Sequence, residues 1–426
     1  MRIVLITQYF PPETGAAQNR LWDLAQRLSL FGHQVTVVTS MPNYPQGRIF
    51  DGYRRRLFVQ EEQEGIRVLR TWAYVTTSRK FISRLLNYLS FAFFAMLTGL
   101  IRVGRSDVVV VESPPLFLGV TGVVVSRWHD VPMIVNVSDL WPQSAISMGI
   151  LHNKILIRLA TALETFLYRS SYAITGQTEN IVRYVREIIP NVRVELVTNG
   201  VDPEKFIGAA EQRYKMRGDF SFGSHFVVGF TGLHGLAYDL EGLLEAAELV
   251  GRSDERVLFV FFGDGPRKQL CEELAKQKGL TNVMFFGPQP GDAMPAVLAS
   301  LDAAIIPLKD LPFFRGTLPS RLFDCMAAKL PIILASVDGE ASRLLQTSNG
   351  GIWVPAEDVS QMADAARQLA SDPDLCHALG ENGNRYVCSH YDRREMARRF
   401  AELLPSVACS SHAIATSDAS QYQTIE

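Results

Sequence analysis

Short apolar runs alternate along this chain with stretches in which apolar residues recur every three to four positions. That alternation predicts strands of parallel sheets with helices packed over them. A first series of strands is expected at Ile3–Ile6, Gln34–Val38, Val108–Val111, Met133–Val137, Ala173–Thr175 and Val194–Leu196. Within it, Leu21, Leu24, Ala25 and Leu28 recur at helical spacing and predict a helix over Arg20–Phe31. The pattern then restarts, with strands expected at His225–Phe230, Val257–Phe262, Val283–Phe285, Ala303–Ile306, Ile332–Ala335 and Gly351–Val354. Helices are expected there over Leu240–Val250 and Arg267–Lys278. Between the series, "VTNGVDPEKF" (197–206) carries Asn-Gly and Asp-Pro turn signals and reads as the boundary. The expected organisation is therefore an N-terminal unit over 1–198 and a C-terminal unit over 199–385. A terminal helix over 386–405 returns to the first unit, and a disordered Ser/Ala/Thr-rich tail follows over 406–426.

Composition fits that division. A chain of 426 residues is a prior for two or three domains, and 47% hydrophobic with 20% charged residues is enough to bury sizeable cores. The five cysteines, Cys271, Cys325, Cys376, Cys388 and Cys409, all fall in the second half without zinc-site spacing, which points to a reducing, cytoplasmic compartment. "MRIVLITQYF" runs straight into a strand, without the basic region and cleavage site of a secretory signal.

Charge changes the picture locally. The net charge is −2, yet Arg48 to Arg105 holds eleven Lys/Arg against Asp51, Glu61, Glu62 and Glu64. This excess suggests an anionic partner such as lipid headgroups or a diphosphate; the plain alternative is a solvated face. Nucleic acid is not expected. Inside the region, Leu85–Ile101 is seventeen uncharged residues between Arg84 and Arg102, borderline for a bilayer of about 30 Å. It reads as a spanning helix, a buried helix or an apolar helix lying in a membrane surface, diluted by Asn87, Ser90 and Thr98.

Two open α/β sheets direct the search for chemistry to loops after strands. Gly15, with Ala16 and Ala17, leads into a helix whose free N–H groups and dipole suit an anion. The loop is neither GxGxxG nor a Walker loop, which weighs against an NAD-dependent oxidoreductase. "GFTGLHG" places Gly232 and Gly235 similarly ahead of a helix, and "FFGDGP" (261–266) is a strand followed by a tight turn. In "RGTLPSRLFDCMA" (315–327), Pro319 and Ser320 suit a helix start, with Ser320 a candidate cap. Asp324 then lies one turn inside, where a carboxylate can accept two hydrogen bonds from a vicinal diol; the alternative is a solvated helix face.

The motifs "YFPPETGAAQNRLWDLAQRLSLFGHQVTVVT", "TNGVD" and "GTLPSRLFDCMAAKLPII" resemble those of retaining glycosyltransferases of the GT-B type, over nearly all of residues 1–405. "MPNYPQGRIFDGY", "VVESPPL" and "VSDLWPQSA" bring the chain nearest to bacterial O-antigen and capsule transferases, of the L-fucosamine transferase type. The resemblance implies two Rossmann-like parallel-sheet domains facing across a cleft. It implies transfer of a sugar, an N-acetylated deoxyhexosamine or hexose, from a nucleotide-diphosphate donor, with UDP favoured, to a saccharide on undecaprenyl diphosphate. Asp324 stands at the second glutamate of the family's Glu-seven residues-Glu motif, which binds the donor ribose. The first glutamate is replaced by Gly316, where the backbone of Thr317, Leu318 and Pro319 offers a substitute. Arg321 is the candidate cation for the diphosphate, because the family's basic pair is not evident after "GFTGLHG". Ser138-Asp139 replaces the common His-Asp and leaves Asp139 near the acceptor, while Gly287-Pro288 matches the backbone that reads the base.

No enzyme nucleophile, cofactor or metal is implied. Asp372-Pro-Asp374, a DxD-type string, precedes a late surface helix far from the motif loops. A sugar-nucleotide epimerase would need an acid/base pair, for which His234 is the nearest candidate. A non-catalytic membrane-assembly subunit is the other rival, motivated by Gly316 and Ser138. The basic 48–105 region and Leu151–Leu167 would place the protein at the cytoplasmic membrane surface.

Overall fold

The computed structural model describes residues 1–44, 46–78 and 80–405, so the tail expected over 406–426 lies outside the described residues. The chain forms two compact units. The first comprises Met1–Gln177, Ile181–Val197 and the chain from Ala397; the second comprises Thr178–Asn180 and Thr198–Met396.

The first unit holds β1 (Arg2–Ile6), α1 (Ala16–Leu30), β2 (Gln34–Ser40), β3 (Phe58–Gln63), β4 (Ile66–Thr71), α2 (Phe81–Ile101), β5 (Val108–Ser113) and α3 (Phe117–His129). It continues with β6 (Met133–Val137), α4 (Gln143–Ser147), α5 (Lys154–Arg169), β7 (Ala173–Gly176), α6 (Glu179–Ile188) and β8 (Arg193–Leu196). The sheet order is β3-β4-β2-β1-β5-β6-β7-β8, parallel except for the antiparallel pair β3/β4. That hairpin was not expected from the apolar pattern. Its turn is Glu64-Gly65, both with positive φ (48° and 79°), as a two-residue hairpin turn requires.

The hairpin also absorbs part of the basic excess. Arg70 on β4 is fully buried, pairs with Glu61 on β3 at 2.6 Å and donates to the carbonyl of Pro11. Arg67 bonds to backbone carbonyls at Arg102 and Val103, and the Arg102 guanidinium lies over the Phe58 ring.

α2 is longer than the uncharged run at its start. Phe91, Ala92 and Ala95 belong to the core under the sheet, while Ile82, Leu86, Leu89 and Phe93 are exposed. The exposed four are spaced i, i+4, i+7, i+11, one stripe of a helix. The helix is long and apolar enough to cross a membrane by length and composition.

The second unit holds α7 (Arg213–Asp219), β9 (Phe226–Thr231), α8 (Leu240–Gly251), β10 (Val257–Phe262), α9 (Lys268–Gln277), β11 (Val283–Phe286), α10 (Met294–Ala299) and β12 (Ala303–Pro307). It closes with α11 (Ser320–Ala327), β13 (Ile332–Ser336), α12 (Glu340–Ser348), β14 (Gly351–Pro355), α13 (Val359–Ser371), α14 (Pro373–His390) and the start of α15 (Arg393–Ala401). Its six strands are all parallel, in the order β11-β10-β9-β12-β13-β14. Leu258, Val260 and Phe262 fall in one apolar cluster, and Phe259, Phe261 and Val257 in another. Successive residues thus bury opposite faces, which is why these strands read as uninterrupted apolar runs.

Candidate functional site

In the second unit, the loops leaving β9 and β10 are bonded backbone to backbone. Gly232 N–H donates to Phe262 O at 2.8 Å, His234 N–H to Asp264 O at 2.9 Å, and Arg267 N–H to His234 O at 3.1 Å. The approach needs glycine on both sides. Gly263 (φ +137°) and Gly265 (φ +156°) hold conformations that side chains rarely adopt, and a Cβ at either would strike the backbone of Gly232 or His234.

Arg321, in the first turn of α11, reaches back to this junction. Its guanidinium lies 4.5 Å from the Phe230 ring centre and 4.3 Å from that of Tyr238, and its Nη1 has no hydrogen-bond partner among the described residues. A Cβ at residue 232 would lie 2.7 Å from Nη2, so Gly232 makes room for the arginine as well as adopting φ +115°. Lys268 Nζ donates to Gly263 O and Phe286 O, both at 3.1 Å, tying the carboxyl ends of β10 and β11 together. His234 is fully buried between Phe230 and Phe261, with no side-chain partner for either ring nitrogen among the described residues. Burial, then Lys268 and Arg321, push it down to about 4, so it is neutral at physiological pH.

Asp324 lies one turn beyond Arg321 and is partly buried. Burial raises its carboxyl above the ordinary range, and the positive charges of Arg393, Lys205 and Arg321 oppose that rise. At the start of α11, the Thr317 N–H is taken by Phe314 O at 3.2 Å and Pro319 has no N–H to give. The N–H groups of Leu318, Ser320 and Arg321 have no partner among the described residues.

In the first unit, the equivalent edge carries a buried polar chain. Glu112, Asn136 and Thr175 sit in register on β5, β6 and β7. Arg20 of α1 donates to Glu112, Asn136 Nδ2 donates to Glu112, and Thr175 Oγ1 donates to Asn136 Oδ1, each at 2.6 Å. Glu13 staples two loops: its carboxylate accepts from the N–H groups of Asn43 (2.6 Å), Tyr44 (2.8 Å) and Phe10 (3.1 Å). Asp139 is pushed up to about 6 by burial, although the Ser144 hydroxyl and the Leu140 N–H stabilise its charged form. Deeper in the unit, the fully buried Glu164 accepts from the hydroxyls of Tyr168 (3.1 Å) and Tyr184 (3.0 Å), and burial pushes it up to about 7.

Comparison with known proteins places both units. Residues 15–200 match the glycosyl transferase 4-like domain, and residues 222–386 match glycosyl transferases group 1. The chain belongs to the GT-B glycosyltransferases. A putative colanic acid biosynthesis glycosyl transferase, WcaI of Escherichia coli K12, is 25% identical over 415 residues, 94% of this chain and 98% of that one. The probable glycosyltransferase WbjE of Pseudomonas aeruginosa is 24% identical over 277 residues, 64% of this chain and 68% of its own. Among solved structures, sucrose-phosphate synthase of Thermosynechococcus elongatus has a TM-score of 0.74 at 15% identity, covering 94% of this chain and 98% of its own. HepE of Anabaena, solved with UDP, has a TM-score of 0.68 at 16% identity, covering 95% and 99%.

The transferase thus brings Gly232, Arg321 and Asp324 together in its group 1 domain, with Gly287 in the exposed turn that ends β11, two strands from β9. Three expectations are corrected. Gly235 does not enter a helix directly: α8 starts only at Leu240, because Asp239 caps it by accepting from Gly242 N–H. Ser320 is the first helical residue and makes no capping bond; Pro319 occupies the cap position. Of the backbone groups offered in place of the missing glutamate, the Thr317 N–H is already engaged, which leaves Leu318. Gly15 does cap α1, in extended backbone, and Asp139 follows β6 on the first unit's edge. Asp372 caps α14 by accepting from Leu375 N–H, which gives the DxD string a structural role. His234 is sealed from solvent, which does not suit an epimerase's acid/base work.

Glu13, Lys268 and the Arg20–Glu112–Asn136–Thr175 chain escaped sequence reasoning. Only Glu13 left a signal: a carboxylate in the Gly15 loop among residues that are otherwise uncharged.

Proposed function

We propose that this transferase moves a sugar, an N-acetylated deoxyhexosamine or hexose, from a UDP-linked donor to a lipid-linked saccharide, with retention at the anomeric carbon, in bacterial surface polysaccharide synthesis. The observation that carries the donor half is the Arg321 guanidinium laid on Gly232, with Asp324 one turn further along the same helix. A guanidinium with an orphaned buried N–H, carried by the helix at whose start the N–H groups of Leu318, Ser320 and Arg321 are free, suits a diphosphate. Asp324 then takes the ribose diol, and the backbone at Gly287 meets the base. HepE, solved with UDP and with UDP-glucose, and WcaI, named for colanic acid biosynthesis, support the donor class and the pathway.

In this reading the bond from the anomeric carbon to the diphosphate oxygen breaks as the bond to the acceptor oxygen forms on the same face. The acceptor proton passes to a phosphate oxygen of the departing UDP, and Arg321 with the α11 N–H groups stabilises the charge that develops there. The reading needs neither a metal nor an enzyme nucleophile. Asp139, its carboxyl pushed up to about 6 by burial, is the group assigned to orient the acceptor hydroxyl.

The exposed stripe Ile82, Leu86, Leu89, Phe93 on α2, and Ile155, Leu159 and Phe166 on α5, support attachment to the cytoplasmic membrane surface rather than a span. The other face of α2 packs in the core, which favours a helix resting on the surface.

The deciding experiment is calorimetric titration of the purified protein with UDP, GDP and dTDP, with Mg²⁺ and with chelator. Micromolar binding of UDP, unchanged by chelation, is expected. Binding of none of the three would overturn the reading, and binding that vanishes with chelator would overturn its metal-free chemistry.

A further inference from the structure

We infer that Arg84, Tyr88, Tyr9 and Tyr44 form the subsite that grips the diphosphate and first sugar of the lipid-linked acceptor; this rests on the acceptor half of the proposed function. Three elements converge there. The chain leaving β1 supplies Gln8 and Tyr9, the loop after β2 supplies Tyr44, and the first half of α2 supplies Arg84, Asn87 and Tyr88. Gln8 Nε2 donates to Asn87 Oδ1 at 2.6 Å, and Asn87 Nδ2 donates to Tyr74 O at 2.7 Å, fixing α2 against the end of β1. The Tyr9 and Tyr44 rings lie 5.5 Å apart, tilted by 56°. Glu13 holds the backbone on both sides of that pair, through Phe10 and through Asn43 and Tyr44. Burial pushes the Tyr9 phenol well above its ordinary range, with Tyr88 and Glu13 adding to the rise and Arg84 opposing it, which puts all four side chains in one electrostatic neighbourhood.

Two groups in this cluster lack the partners their chemistry asks for. Arg84 is exposed and has no carboxylate partner among the described residues; its one bond is from Nη2 to the Tyr88 hydroxyl at 3.2 Å. Gln8 is 1% exposed, and its Oε1 has no partner among the described residues. A free guanidinium presents a forked set of donors that matches phosphate oxygens. Paired tyrosine rings offer apolar faces with hydroxyl rims, which suits a pyranose.

The position favours a lipid-borne ligand. Arg84 and Tyr88 sit on the same turns of α2 as Ile82, Leu86 and Leu89 but off that stripe, and the same turns meet the end of β1 through the Asn87–Gln8 bond. A helix is about 10–12 Å across with its side chains. A prenyl tail lying beside the outer stripe therefore brings its diphosphate to the level of Arg84.

The shared chemistry, phosphate oxygens on an apolar tail, also belongs to bilayer headgroups, so the test separates the two. Wild type, Arg84→Gln, Arg84→Lys and Tyr44→Ala are titrated with citronellyl diphospho-N-acetylglucosamine, with citronellyl diphosphate and with UDP. Each is also sedimented with phosphatidylglycerol vesicles. Arg84→Gln is expected to bind both citronellyl probes roughly 10- to 100-fold more weakly, the loss of charge-assisted hydrogen bonds, with UDP unchanged and Lys recovering part. Tyr44→Ala is expected to weaken only the sugar-bearing probe. Probe affinity unchanged in Arg84→Gln, or a loss confined to the vesicles, overturns the inference; the latter makes Arg84 a headgroup contact. Wild type that binds UDP but neither probe also overturns it, while the donor reading stands. Wild type that binds the probes but no nucleotide overturns the donor reading and leaves the subsite to be judged on the variants.

Discussion

Replacing Arg321 with methionine separates a ligand-binding arginine from a structural prop. In the structure as it stands, Arg321 contributes two cation–π contacts, at 4.5 Å from Phe230 and 4.3 Å from Tyr238. Each is worth about 0.5–2 kcal/mol. Against that, its buried Nη1 has no partner, which costs about 1–3 kcal/mol. The two nearly cancel, and methionine keeps much of the apolar stem, so the melting temperature is expected to move by no more than a few degrees. Ligand binding has no such offset. A bidentate grip on a diphosphate forms two charge-assisted bonds of about 1.5–3 kcal/mol each, so UDP affinity should fall by roughly 10²- to 10⁴-fold. The assay is calorimetry with UDP, UMP and uridine. UDP should suffer most and uridine least, because only the phosphates meet Arg321, and Arg321→Lys should restore a point charge but not the fork. Equal losses for UDP and uridine, or an unchanged UDP affinity with a large drop in melting temperature, would refute the reasoning. An imidazole NMR titration adds a check: Arg321 is one of the charges that hold His234 near 4, so its removal should move that value upward, while burial keeps it below the ordinary range.

Two further outcomes are expected. Asp324→Asn should weaken UDP and uridine alike, roughly tenfold, since it loses part of a two-bond contact to the ribose; unchanged uridine affinity would remove that assignment. Glu164→Gln should change how stability depends on pH. Burial raises Glu164 to about 7 in the folded state against 4.5 when unperturbed, so its contribution is fully present below 4.5 and is lost as pH rises through 7, by about 3 kcal/mol. The variant, with no charge to bury, should melt above wild type at pH 8 and lose that advantage at pH 4.5; parallel melting curves across that range would exclude the account.

Strands buried on both faces were the most legible part of the fold, because every residue of a run such as Val108–Val111 meets an apolar layer. The β3/β4 hairpin was missed for the opposite reason: "FVQEEQ" lies on an edge and carries too little apolar signal, although Glu64-Gly65 marks its turn. At the candidate site, Arg321 and Asp324 were legible because they lie three residues apart on one short helix. What Arg321 rests on was not, since Phe230, Gly232 and Tyr238 are about ninety residues away in sequence and meet it only through the sheet order. Gly235 was misplaced because glycine ahead of an apolar stretch looks like a helix entry whether or not a later Asp takes over the capping. The Glu112–Asn136–Thr175 line has no sequence spacing at all; it exists only in the register of three strands.

The division of the chain has a consequence for synthesis. All eight strands of the first sheet are encoded before Val197, so that sheet can close while the ribosome is still translating the second unit. All six strands of the second sheet likewise lie in one uninterrupted stretch. Among the described residues beyond the second sheet, the chain from Ala397 returns to the first unit. A nascent chain therefore holds a nearly finished first unit for the time it takes to make some two hundred more residues. The turns that complete it, from Ala397, emerge only after the second unit.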